Sequence, residues 1–413
     1  MNNKKILIIF HLNFLRNDMG CSSYIFEIAK YLKSKGFSID FLSNAGIDGD
    51  FDNFEELNAK EKLIDNFYLF KPTKYNIKKK LFGLNLIKTK YKIKNKKRYI
   101  KTYIGNIRIS TKPDKKYYST WVDDEFLEFY DNIVNSNKYD YINIHYIQFA
   151  DLIKYGHTPS STKKIYSMHD ANYIQQFYCK NQNAINPIEQ EIELVNLFDK
   201  IMSISMDEKQ FFEKLLPEKK FYFLPPLVST NQQASADTKD IDILFLGYSN
   251  PYNLEGIIWF LEKVYPLLKH KNNIWIVGKV INMLIQDGRF TPEKLAEAGI
   301  NTIEFAQDLD ELYARTKISI VPMFRGTGMK IKTIDAMSRG IPVVSTYLGV
   351  DGFPDKNKNG CLVTDKPEEF AAYIDKLLDD QTYYQKVQNE INDYFKNYLS
   401  AEKSSNVLDT CFK

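Results

Sequence analysis

The amino-acid sequence predicts an α/β protein built from two doubly wound units, and three observations carry that prediction. Short apolar runs that read as strands alternate with helix-periodic stretches along most of the 413 residues, the pattern of parallel sheets covered by helices. A polar stretch, "STNQQASADTKD" from Ser229 to Asp240, has almost no apolar content and no period, and the alternation restarts after it. With 44% hydrophobic residues the chain has ample material for two cores, yet no run approaches the roughly 18 apolar residues of a membrane span. Any membrane contact would therefore be peripheral.

The elements follow in order. "MNNKKILIIFHLNF" carries two lysines and then an apolar run too short for the roughly 7–15 residues of a signal h-region, so it reads as a first core strand. In "CSSYIFEIAKYLKSKG", Ile25, Ile28, Ala29 and Leu32 recur at helical spacing, and Gly36 supplies the stop before the next strand, "SIDFLS". "YDYINIHYI", "KKIYSMHD", a helix from about Ile188 to Phe198, "KIMSIS", a helix opened by Asp207, and "KFYFLPP" complete the first unit. The second unit runs through "IDILFLGYSN", a helix "LEGIIWFLEKVYPLLK", "NIWIVGK", "TIEFA", a helix "LDELYAR", "ISIVPMF" and "PVVST". The expected division is 1–230, 241–395 and a helical tail, 396–413, packing back on the N-terminal domain. Ligands of open α/β sheets sit at the carboxyl ends of the strands, so a cleft between the halves is the expected site.

The formal charge of +4 hides an uneven distribution. Between Lys71 and Lys116 there are 17 Lys/Arg and one acid, Asp114, interleaved with Tyr75, Phe82, Tyr91, Tyr99 and Tyr103. Such a run is either a solvated face or a surface for anionic partners, a phosphate-bearing acceptor or lipid headgroups; no nucleic-acid module accompanies it. Cysteines 21, 179, 361 and 411 form no CxxC and no cluster with histidine, which favours reduced thiols over a zinc site or a disulfide framework. The D-x-D triplets Asp48/Asp50, Asp240/Asp242 and Asp308/Asp310 follow no buried strand at its carboxyl end, so no metal is expected, and Asp308 reads as a helix cap. No G-x-S-x-G elbow accompanies any serine.

The stretch with the most chemistry is "FRGTGMKIKTIDAMSRGIPVV", residues 324–344. A glycine turn between a strand end and a helix start offers free backbone N–H groups and the positive end of the helix dipole to a phosphate. Arg325, Lys330 and Lys332 add charge nearby, and Asp335, further along the helix, can accept from a pair of sugar hydroxyls. The alternative is structural: a well-capped helix with an Asp335–Arg339 ion pair at i, i+4 spacing.

"GTGMKIKTIDAMSRGIPVVST" resembles the nucleotide-sugar motif of GT-B glycosyltransferases of the large retaining group, whose signature is two glutamates separated by seven residues. "IWIVGK", "IEFAQDLDELYARTKISIVPM" and "GCLVTDKPEEFAAYIDKLLDD" are similar to the same group in order, and "MGCSSYIFEIAKYLKSKGFSIDFLS", "YSMHD" and "EIELVNLFDKIMSISMDEKQFF" agree more loosely. The resemblance implies two Rossmann-like domains facing across a cleft. It places the ribose-binding acid on Asp335 and the sugar-contacting acid on Thr327, a departure shared by a branch with a "GTG.K.K" loop. The donor set it implies is Gly20, Gly247, Gly326, Thr327, Gly328, Met329, Lys330, Lys332 and Asp335. Gly20 stands where relatives have paired glycines, and "GYSNPYN" from Gly247 lacks their basic residue, leaving charge neutralisation to Lys330, Lys332 or Arg325. His169, at the end of "KKIYSMHD", matches a histidine near the sugar, with a structural role beside Asp170 as the alternative; His11 and His145 also end strands. Glu191 and Asp199 match residues of structural role. The catalytic set is then His169, Lys330 and Arg325.

The function this implies is metal-independent, retaining transfer of a sugar from a nucleotide diphosphosugar to an acceptor hydroxyl, with no cofactor beyond that co-substrate. A fixed helix dipole and lysines would stabilise the departing diphosphate. The expected partners are the donor, a glycan or lipid-linked acceptor in cell-surface polysaccharide synthesis, and an anionic membrane surface met by the basic segment, in the cytoplasm or at the inner face of the membrane. A sugar-nucleotide epimerase would leave the basic segment without use. The rival from another class is a non-catalytic GT-B-like protein that binds a partner glycosyltransferase or a membrane.

Overall fold

The computed structural model describes residues 4–17, 19–44, 51–71, 74–81, 84–93, 96–104, 107–110, 117–178, 187–228, 239–269, 273–306 and 308–413. Cys179, the Asp48/Asp50 triplet and most of the polar linker lie outside the described residues. Contacts divide the chain into two units: Met1–Tyr173, Asn183–Met202 and Phe212–Tyr222 in the first, and Ile174–Gln182, Ser203–Phe211 and Phe223–Lys413 in the second.

The first unit is organised on β1 (Lys5–Ile9), whose residues Ile6 to Ile9 are fully buried. Such near-continuous apolar strands belong to parallel sheets covered on both faces. β1 pairs in parallel with β2 (Ser38–Asn44), which pairs with β3 (Asn66–Phe70). A separate antiparallel meander follows, β4 (Lys74–Leu81), β5 (Leu84–Ile93), β6 (Lys96–Ile104) and β7 (Ile107–Ser110). The chain then returns with β8 (Tyr141–His145), β9 (Lys163–Met168), β10 (Lys200–Ser203) and β11 (Lys220–Phe223) to complete a seven-stranded sheet of order β11-β10-β9-β8-β1-β2-β3. The meander is thus formed by described residues of the basic segment, to which the sequence reading assigned no element.

In the second unit, β12 (Ile241–Leu246), β13 (Ile274–Val277), β14 (Ile300–Ile303), β15 (Thr316–Val321), β16 (Val343–Ser345) and β17 (Leu362–Val363) form a sheet of order β14-β13-β12-β15-β16-β17, every pair parallel. The order reverses beside β12, so the carboxyl ends of β12 and β15 flank the crevice where such sheets bind ligands. The helix expected over "LEGIIWFLEKVYPLLK" is regular only from Pro251 to Trp259, then rewinds through a π turn, Phe260–Val264, and a 3₁₀ turn, Tyr265–Leu267. Pro266 explains the rewinding, since it has no N–H to donate and its ring clashes with the carbonyl four residues back. Asp308 caps the Leu309–Ala314 helix as expected, accepting from the amides of Asp310 and Glu311.

The Asp240/Asp242 pair sits at the start of β12, away from the carboxyl ends, where Asp240 meets Arg315 at 2.6 Å and Asp242 meets Lys317 at 2.7 Å. These are ion pairs across the amino ends of the central strands β12 and β15. Glu191 and Asp199 hold the first unit together: Glu191 accepts from the amides of Asn172 and Tyr173, opening the Asn172–Tyr178 helix, and Asp199 accepts from the Lys164 amide.

Candidate functional site

After β15 the chain passes Pro322 and makes a turn in which Gly326 and Gly328 have φ of 113° and 68°. L side chains avoid that region, so glycine at both positions is what lets the loop fold back before the Ile331–Ser338 helix. No side chain caps that helix, and its first-turn amides and dipole face the carboxyl end of the sheet. Met329 is buried in the core, leaving only its backbone to the loop surface. On the neighbouring strand ends, a Cβ at Gly278 would lie 2.2 Å from the carbonyl of Gly247, so the β12 and β13 ends are held in close backbone contact.

The charged residues are less alike than their spacing suggests. Lys330 folds back onto its own loop, donating to the carbonyls of Thr327 at 3.1 Å and Gly328 at 2.8 Å, and is buried. Lys332 donates to Asn253 Oδ1 at 2.7 Å and lies 4.6 Å from the centre of the Phe245 ring, at the end of β12. Burial, with help from the Lys330 charge, lowers the Lys332 amine to about 7. Arg325 sits at the rim, paired with Glu255 at 3.2 Å. Asp335 is raised to about 6, chiefly by burial; Arg339 opposes the shift and the Asp310 charge adds to it. Arg339 lies 4.0 Å from Asp335 but gives its short hydrogen bond to Asp310, so the i, i+4 pair does not absorb the Asp335 carboxylate.

Sequence reasoning missed one member of this group. The buried Glu208, 120 positions from Gly328, accepts from the Gly328 amide at 3.3 Å. It brings a carboxylate to the loop that contains Thr327. The only signal was its place in "SISMDEKQFF", and nothing there pointed to the loop. Lys330 on the carbonyl side and Glu208 on the amide side hold the glycine turn in shape, while Lys332 and Asp335, both on the helix that follows it, are the groups with altered protonation.

The first unit contains its own cluster. His169, at the end of β9, is buried and shares a 3.0 Å hydrogen bond with His145 at the end of β8. His145 in turn contacts Asn143 at 3.2 Å. Tyr146 stacks on His169 with ring centres 4.5 Å apart, and Phe10, Tyr24 and His11 close the group. Burial holds all three imidazoles neutral, taking His11 to about 4 and His169 to about 3. Gly20 is the first residue of the Gly20–Ser34 helix, which supplies Tyr24 to this cluster. Among the described residues no group of three or more His, Cys, Asp or Glu side chains is arranged to hold a metal ion, and Cys21, Cys361 and Cys411 form no disulfide.

Comparison with known proteins bears on both units. Residues 240–380 match the family model described as Glycosyl transferases group 1. An uncharacterized 44.6 kDa protein in the cps region of Klebsiella pneumoniae is 30% identical over 186 residues, and the match spans 43% of this chain and 46% of that relative. Among solved structures, a variant of S. aureus TarM in complex with Fondaparinux, alpha-GlcNAc-glycerol and UDP superposes with a TM-score of 0.66 at 14% identity, covering 99% of this chain and 100% of the other. The pneumococcal O-GlcNAc transferase GtfA in complex with UDP and GlcNAc gives 0.61 at 12% identity, covering 100% and 98%. Anabaena HepE in complex with UDP and glucose gives 0.65 at 10%, covering 99% of each. At these identities the likeness establishes the fold, which is GT-B over the whole length.

Proposed function

We propose, from a second unit that carries a glycosyl transferases group 1 domain within a GT-B fold, that the protein is a glycosyltransferase using a nucleotide diphosphosugar. The observation that carries the reading is the uncapped Ile331–Ser338 helix behind the Gly326–Gly328 turn, with the carboxylate of Asp335 set back along the same helix. Diphosphate at the helix start and ribose hydroxyls at Asp335 match that spacing, since five residues of helix advance about 7.5 Å. Lys332, held at the end of β12 by Asn253, stands closest to the place where the family's basic residue is missing, and is assigned to the diphosphate. Lys330 and Glu208 are assigned to holding the loop, and Arg325 to the rim.

In this reading the departing diphosphate meets fixed amides and a lysine, so negative charge is stabilised without reorganisation and without a metal. Retention of configuration follows from the family resemblance. The UDP complexes of TarM, GtfA and HepE favour a uridine nucleotide, and the cps-region relative favours a cell-surface polysaccharide acceptor. The lysine-rich Lys71–Lys116 segment is assigned to an anionic surface, a cytoplasmic membrane face or a phosphate-bearing acceptor. Among the described residues no helix is long and apolar enough to cross a membrane.

Hydrolysis of nucleotide sugars without acceptor tests the reading. Slow release of UDP from at least one of UDP-glucose, UDP-galactose and UDP-GlcNAc is the expected outcome. Folded protein that neither turns over nor binds any nucleotide sugar would instead leave the non-catalytic binding protein as the reading.

A further inference from the structure

Beyond the glycine loop, on the same carboxyl rim of the second sheet, lies a cavity of about 420 Å³ lined by Tyr347, Val350, Asp351, Lys356, Asn357 and Cys361. Its size falls within the roughly 300–1,000 Å³ of small-molecule sites. The Tyr347 ring stands at its mouth, 63% exposed, while the Tyr347 amide is tied to Asp365 at 3.0 Å, which fixes the backbone that presents it. Val350 and Cys361 give the interior an apolar side, and burial keeps the Cys361 thiol protonated and unreactive. Asp351 and Asn357 bring an acceptor and a donor–acceptor pair. Lys356 is held by Asp351 at 2.8 Å and Asp207 at 2.9 Å.

The wall of this cavity is continuous with the candidate donor site. Thr333, in the first turn of the Ile331–Ser338 helix, donates to the Gly349 carbonyl at 2.8 Å, and a Cβ at Gly352 would lie 3.1 Å from the Met329 side chain. Segment 346–352 therefore runs from the back of the glycine loop into the cavity.

We infer that this cavity binds an uncharged sugar residue of a glycan, with Tyr347 stacked on the pyranose and Asp351 and Asn357 bonded to its hydroxyls. A pyranose presents a C–H face beside a ring of hydroxyls, which an exposed aromatic face next to short polar side chains complements. Charge narrows the class. The ammonium of Lys356 is shared between two carboxylates, so the group carries a net negative charge and disfavours a phosphorylated sugar or a uronate. Calling the occupant part of the acceptor rests on the glycosyltransferase reading; the binding itself does not.

Saturation-transfer NMR on the full chain without nucleotide tests this, with maltotetraose, cellotetraose and chitotetraose as neutral probes and tetragalacturonic acid as the anionic one. At least one neutral tetrasaccharide is expected to give signal, because stacking on Tyr347 tolerates linkage. That affinity should fall tenfold or more in Tyr347→Ala and in Asp351→Asn, both at exposed or half-exposed positions, while the thermal shift produced by UDP is unchanged. Silence of all three neutral probes, stronger binding of the tetragalacturonate, or neutral binding that survives both substitutions would overturn the inference. UDP binding without glycan binding sinks this site alone, and glycan binding without UDP binding sinks the donor-site reading alone.

Discussion

At the residue scale the chemistry turns on Asp335 and Lys332. A carboxyl raised to about 6 in the fold, against about 3.9 in an unfolded chain, favours the protonated form, so its ionisation costs stability as pH rises through that window. Asp335→Asn should therefore raise the apparent stability of the unliganded protein at pH 7 by about 1–3 kcal/mol, with little gain at pH 4, as urea unfolding at the two pH values would show. The same substitution removes the proposed acceptor of the ribose hydroxyls and should weaken UDP binding about 10- to 100-fold, the worth of hydrogen bonds to a charged group. Affinity for UDP-glucose, whose phosphates are diesterified and keep no proton in this range, should peak between about pH 6 and 7. Asp335 must ionise on the acid limb and Lys332 loses its charge on the alkaline one. In Lys332→Met the alkaline limb should disappear, which isothermal titration across pH would record. Asp335 and the paired glycines were legible in the sequence because a helix start and a positive-φ turn are local patterns. Glu208 was not, because only tertiary folding brings it to the Gly328 amide. Nor was the inward fold of Lys330, since spacing cannot say whether a lysine reaches outward or bonds its own loop.

At the element scale the glycine turn and the strand-end histidines are the two features whose disturbance has a readable sign. Gly326→Ala places a Cβ at a φ of 113°, a conformation with a strain cost of about 1–3 kcal/mol, and the loop will relax away from it. Nucleotide affinity should fall at least tenfold while the far-UV spectrum is unchanged. The histidines act on stability in the opposite sense to Asp335. Their folded values lie below the ordinary 6.5, so the unfolded chain takes up protons first as pH drops, and stability is lost from about pH 6.5 down to about 4. Each histidine that stays neutral contributes a slope of up to about 1.4 kcal/mol per pH unit. His169→Gln should flatten the acid limb of a denaturant midpoint plotted against pH. The parallel strands were readable from their uninterrupted apolar runs. The helix Pro251–Trp259 was read too long because the apolar period continues past Pro266, whereas the backbone hydrogen bonding does not. The β4–β7 meander was hidden by its lysines, which interrupt the alternation that marks a strand.

At the scale of the whole molecule, two α/β units were legible from the restart of the strand–helix alternation after Asp240, and the GT-B likeness over 99% of the chain agrees with that reading. The basic segment makes a further demand on the intact protein. Sedimentation with vesicles containing phosphatidylglycerol should show binding at low ionic strength that weakens as the screening length falls below about 10 Å, and neutral vesicles should not bind. Binding equal on both vesicle types would contradict the electrostatic assignment. The central claim is that the second unit holds a nucleotide diphosphate at the Ile331–Ser338 helix start. Its most direct measurement is thermal unfolding of the full chain with UDP at rising concentration, for wild type and for Lys332→Met. A ligand bound only by the folded state stabilises it by about 2.7 kcal/mol at one hundred times its dissociation constant, so the wild-type midpoint should climb steadily with UDP and the variant's should climb at least tenfold later in concentration. A wild-type midpoint that does not move at millimolar UDP, or one that moves identically in Lys332→Met, would contradict it.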